Sequence, residues 1–145
     1  MTHLKAFCLA LALTTASFSA ISVLTPVAMA ETSEASTNTT GTFVKKSKKL
    51  KGDWELVQRE GKTFLVFGDT FRAAGGPDLK IFLSPQSLAD VTGKTATQGA
   101  LNIGELKKTK GVQEYEVPAG VDLSAYSSVL VHCEAYSVLW GGSDL

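Results

Sequence analysis

The chain is poor in the residues that usually carry metal or redox chemistry: its 145 residues include two cysteines, two histidines and two methionines. It also lacks a charge surplus, with 14 Lys and Arg against 14 Asp and Glu. Phosphate neutralisation by excess cations is the main source of affinity for nucleic acid, so no nucleic-acid partner is expected. At this length one small domain is the natural organisation. No amphipathic helical pattern of ten or more residues is present. Ser87 to Asp90 and Asp122 to Tyr126 offer a single turn each.

The scarce residues are concentrated where they are expected to be lost. Lys5 precedes an uncharged apolar run from Ala6 to Leu24, and Ala28-Met29-Ala30 supplies small residues at positions −3 and −1 before Glu31. This is the layout of a secretory signal, residues 1–30, and places the mature chain outside the cell or in the periplasm. The alternative is an uncleaved anchor, since the run approaches the roughly 20 residues that span a bilayer. Thr14, Thr15, Ser17, Ser19, Ser22 and Pro26 argue for cleavage, after which no membrane span remains.

Cleavage removes Cys8, His3 and both methionines, and leaves 13 basic residues against 14 acidic. The mature chain keeps one cysteine, Cys133, and one histidine, His132. That subtraction excludes an internal disulfide, a Cys-x-x-Cys-His haem attachment, a tetrahedral zinc site of cysteines and a methionine axial ligand, so no metal site is expected. Residues 31–41, rich in Ser and Thr and without aromatics, read as a polar tether.

From Thr42 the pattern has period two. Trp54 and Leu56, Leu79, Ile81 and Leu83, Leu101 and Ile103, Tyr115 and Val117, and Val129, Val131 and Cys133 each mark one face of a strand. Thr63 to Phe67 is apolar on both faces and suits a central strand. Gly61-Lys62, Gly75-Gly76-Pro77, Gly93, Gly111, Pro118-Ala119-Gly120 and Gly141-Gly142 punctuate these runs. The expectation is an all-β domain over residues 42–145: a single antiparallel sandwich or barrel of seven to nine short strands.

Cys133 is an odd thiol in a compartment that normally pairs cysteines. Its register with Val129 and Val131 points it inward, as a small apolar core residue. The functional alternatives are a redox thiol, a thiolate ligand to haem or metal, and a disulfide-linked homodimer. His132 must face the other way, which forbids a Cys-His pair on this strand, and it reads as a surface residue beside Glu134. Gly76, Pro77 and Asp78 read as a structural turn, since no Gly-x-Gly-x-x-Gly spacing or following helix accompanies them. Lys45, Lys46, Lys48, Lys49 and Lys51 read as a solvated strand edge that discourages pairing, with weak attraction for anionic surfaces as the alternative.

The order of these pieces resembles the DM-thirteen domain, a small extracellular β-domain often found beside DOMON domains and described as an electron-transfer module. The likeness is carried by Gly41-Thr42-Phe43, Phe71 with Gly76-Pro77-Asp78-Leu79, Ile81-Phe82-Leu83-Ser84, Gly104-Glu105-Leu106-Lys107, Gly111 to Pro118, Tyr126-Ser127-Ser128-Val129, and Val131-His132-Cys133 through Tyr136-Ser137-Val138 to Leu145. The resemblance implies that Cys133 is the redox centre, as a bare thiol or as a haem ligand. It also implies an electron-exchanging partner, an envelope or redox protein, because no DOMON domain is present in the chain. A non-enzymatic envelope module with Cys133 as core filler is the competing expectation.

Overall fold

Alternation of inward and outward side chains organises the residues that the computed structural model describes, 39–145. The expected signal segment and all but the last few residues of the expected tether lie outside the described residues. Eleven strands form: β1 Thr40–Thr42, β2 Val44–Lys45, β3 Leu50–Lys51, β4 Asp53–Arg59, β5 Lys62–Phe67, β6 Arg72–Ala73, β7 Leu79–Ser84, β8 Leu101–Glu105, β9 Gln113–Val117, β10 Ser128–Cys133 and β11 Val138–Asp144. Three of them, β2, β3 and β6, are two residues long and account for the excess over the expected count. The first strand also starts at Thr40, inside the segment expected to be tether. Leu123–Ala125 forms one 3₁₀ turn, capped by the Asp122 side chain.

All pairings are antiparallel and fall into separate sheets, so the domain is a sandwich and not a closed barrel. One sheet has the order β1-β4-β5-β9, the other β2-β11-β10-β7-β8, and β3 pairs with β6 in a small third ladder. The doubly apolar run is central in the first sheet, as its composition requires. The β4–β5 connection is a two-residue hairpin turn in which Glu60 and Gly61 both take positive φ, 53° and 72°, the conformation that matches strand twist. Trp54, Leu56, Leu65, Phe67, Tyr115 and Val117 from the first sheet share one core with Ile81, Leu83, Val129, Val131 and Cys133 from the second. Phe43, Phe67, Phe71 and Tyr115 cluster in it with ring centroids 4.6 to 5.5 Å apart. Such contacts add about 0.5–1.5 kcal/mol per pair beyond area burial.

The second sheet is covered on its other face as well. The connection from β7 to β8 lays Leu88, Val91 and Ala96 over Phe82, Leu130 and Leu139, forming a separate apolar cluster. Every residue of β10 is consequently buried. A bulge opposite Val131 and His132 leaves Trp140 as an extra residue on β11, since Val131 pairs with Gly141 and His132 with Leu139. Alternation sends consecutive residues of β11 to the two cores: Leu139 packs in the outer cluster and Trp140 in the inner one.

Candidate functional site

Cys133 ends β10, opposite Leu79 at the start of β7 and Val138 at the start of β11. Its side chain faces the inner core, as the register predicts, and is 0% exposed. The Sγ–H donates to the carbonyl oxygen of Pro77 at 3.0 Å. The bond ties the sulfur to the backbone of the turn, the Sγ–H being the donor and the carbonyl oxygen the acceptor. Two features that are separate in the sequence therefore meet: the sole cysteine among the described residues lies beneath the Gly76-Pro77-Asp78 turn, whose three residues are exposed.

The turn is fastened at both ends. Toward its start, the Trp140 indole N–H donates to the Ala74 carbonyl at 2.9 Å. Gly76 lies against the same indole, where a Cβ would come within 2.6 Å of ring carbon Cζ2. Glycine is required here for close approach. Toward its end, Asp78 takes a left-handed φ of 54°, and its carbonyl accepts the Glu134 N–H at 3.1 Å. The Lys80 ammonium sits between the Asp78 carboxylate, at 3.1 Å, and the Glu134 carboxylate. Hydrogen bonds to Glu134 first and Asp78 second hold Lys80 charged to a higher pH than an ordinary lysine. This Asp78-Lys80-Glu134 clasp was not visible in the sequence, where Glu134 signals only a polar strand end.

The same clasp occupies the one cation attached to the turn. Lys80 is committed to two carboxylates, and His132 points to the opposite face of the sheet. His132 is not the surface residue expected from the alternation. It is 1% exposed, because the β7–β8 connection covers that face. Its Nε2–H donates to the Gly93 carbonyl at 2.8 Å, and its ring meets the Phe82 ring edge-on. Its buried Nδ1 has no protein partner among the described residues.

The haem that the family resemblance implies does not fit this arrangement. The sulfur points at a backbone carbonyl, the neighbouring imidazole lies on the other side of the sheet, and no group of three or more His, Cys, Asp or Glu is poised to hold a metal among the described residues. A surface depression of about 360 Å³ is lined by Gly76, Asp78, Leu79, Glu105, Leu106 and Thr109, and Cys133 is not among its lining residues. The lysine run, for its part, is exposed and includes the edge strand β2, as expected.

No curated protein and no solved structure matches the chain. A family model described as electron transfer DM13 matches residues 42–144, which are the sandwich from the end of β1 almost to the C-terminus. The order of strands and turns agrees with this match, and the chain belongs to the electron transfer DM13 family.

Proposed function

We propose that the chain is an exported electron-transfer module whose reactive centre is the Cys133 thiol, gated by the Gly75 to Asp78 turn. The observation that carries this reading is the hydrogen bond from Sγ to the exposed turn at Pro77. A cysteine used only as filler needs apolar neighbours; this one is also one bond away from a surface segment that contains two glycines and is pinned by polar contacts. Lifting the turn breaks that bond and gives the sulfur an exit. The freed thiol loses its proton to solvent, and the thiolate attacks a partner's disulfide. A Cys133-to-partner disulfide forms, and the other partner sulfur leaves as thiolate. The same opening in two copies is the requirement for a Cys133-linked dimer.

The test is labelling of Cys133 by iodoacetamide in the folded full chain, with Gly76→Ala as the second arm. The alanine Cβ collides with Trp140 and dislodges the turn. The gated thiol is labelled faster than global unfolding permits, and Gly76→Ala accelerates it. Labelling that keeps pace only with unfolding in both proteins rejects the gate.

A second reading is favoured by the complete burial of Cys133 among Ile81, Val129 and Val131. On it, the chain is a non-enzymatic envelope module and the sulfur is core packing. Cys133→Ser then leaves all partner binding intact, and the Cys133 thiol of the parent stays inert.

A further inference from the structure

The lysine run and a second basic segment, 107–110, are far apart in sequence, and the small third ladder brings them together. Lys51 pairs with Arg72 across β3 and β6, and Arg72 in turn bridges to Lys110. Three cations thus stand directly opposite one another on three adjacent backbones. The backbone bonds from Ala73 to Thr109 and from Ala74 to Lys49 extend the same register by two residues. Alternation sends Leu50 into the core, where it is 3% exposed, and Lys49 and Lys51 outward. The result is one face carrying Lys49, Lys51, Arg72 and Lys110.

Like charges directly opposite each other in a sheet are destabilising. Nothing in the described residues relieves them. The four ion pairs use Arg59, Lys62 and Lys80, and none involves these four. Arg72 reaches only the backbone carbonyls of Asp69 and Phe71. The nearly neutral composition of the chain therefore conceals a locally concentrated positive field. A cluster of this kind, kept against its own repulsion, matches a negatively charged counterpart.

We infer that this four-cation face is a docking surface for an acidic protein, the electron-exchanging partner of the module. Electron-transfer encounters are small and charge-guided, so carboxylates facing such a grid supply both orientation and a fast approach. The position favours a protein over a lipid surface. The backbone of β6 that carries Arg72 runs on through Ala73 and Ala74 to the turn over Cys133, and the exposed large apolar residues Val44, Val112 and Tyr136 are not part of the grid. The inference goes beyond the thiol reading and rests only on the electron-transfer character of the family.

The test uses the purified full chain with two probes: poly-L-glutamate, and phosphatidylcholine vesicles containing phosphatidylserine. The docking face binds poly-L-glutamate at low salt, and added salt weakens the complex. The double variant Lys51→Gln, Lys110→Gln binds roughly tenfold more weakly, taking exposed pair energies for two lost cations. It melts no lower than the parent, because an opposed pair of like charges has been removed. Lys94→Gln, exposed and outside the grid, binds as the parent does. Equal affinity of the double variant, binding to the vesicles but not to poly-L-glutamate, or a melting point several degrees lower in the double variant each overturns the inference. Iodoacetamide labelling of the parent separates the two proposals: poly-L-glutamate binding with an inert Cys133 removes only the gated-thiol reading, and a reactive Cys133 without that binding removes only this one.

Discussion

Cys133 and His132 are consecutive on β10 yet serve opposite faces of the same sheet, one bonded to Pro77 and the other to Gly93. They cannot act as a nucleophile and base. The separation also divides the strand's role, because the inner core is held to the turn by the sulfur and the outer cluster is held to its covering connection by the imidazole. Each bond ties β10 to a loop, so loosening one need not loosen the other.

His132 should therefore be a stability residue. His132→Ala removes a buried ring, opens space beside Phe82 and strips the Gly93 carbonyl of its donor. A loss of about 2–4 kcal/mol is expected from the cavity and the lost bond together. Denaturant titration gives the value. A loss under about 1 kcal/mol would show that the covering segment does not depend on this bond.

The covering segment gives a sharper contrast between two glycines. A Cβ on Gly93 would lie 2.2 Å from the Ser137 carbonyl oxygen and 3.3 Å from the Leu139 nitrogen, both backbone atoms that cannot yield without moving the β10–β11 turn. On Gly75 it would meet nothing within 4 Å. Gly93→Ala is expected to cost about 2–3 kcal/mol as overpacking, and Gly75→Ala to change stability by less than about 1 kcal/mol. Similar thermal melts for the two variants would contradict the placement of the segment.

Much of this architecture was legible because period-two burial is a local property. Trp54 with Leu56 and Tyr115 with Val117 identify inward faces without knowledge of their partners, and Cys133 followed from Val129 and Val131. His132 was misplaced for a physical reason. Its face is covered by Leu88, Val91 and Ala96, which follow no strand or helix period, so two-sided burial of β10 has no local signal. Short ladders were also hidden: β3 and β6 have two residues each and form only when the sandwich brings them side by side. The approach of Cys133 to Pro77 spans 56 residues, and turn chemistry accounts for the glycines and proline without it. The basic grid was missed because overall neutrality speaks only to totals.

The clasp predicts how the turn is controlled. Asp78→Asn removes one side of the Asp78-Lys80-Glu134 arrangement and Lys80→Met removes its centre, while both leave the Pro77 bond to Cys133 in place. Both are exposed enough that global stability should barely change, whereas iodoacetamide labelling of Cys133 should rise several-fold as the turn opens more often. Unchanged labelling in both variants would mean that Trp140 and the Glu134 backbone bond alone hold the turn.

Alkaline pH reads out a different part of the core. The Tyr115 hydroxyl accepts the Lys107 N–H at 3.0 Å and donates to the Gln113 side-chain oxygen at 2.9 Å. Burial pushes its ionisation from the ordinary value of 10 up to about 12, against a smaller lowering by the Lys107 N–H. The folded state thus keeps a proton that the unfolded chain releases first. By linkage, the contribution is fully present below pH 10 and is lost as pH rises from 10 through about 12. Tyr115→Phe removes this titration. At neutral pH it leaves Lys107 and Gln113 short of a partner and costs about 1–2 kcal/mol. Its stability should then fall less steeply than the parent's above pH 10, with phenolate absorbance of the folded parent showing one tyrosine that ionises late. Parallel alkaline stability curves for parent and variant would contradict a buried, hydrogen-bonded phenol at this position.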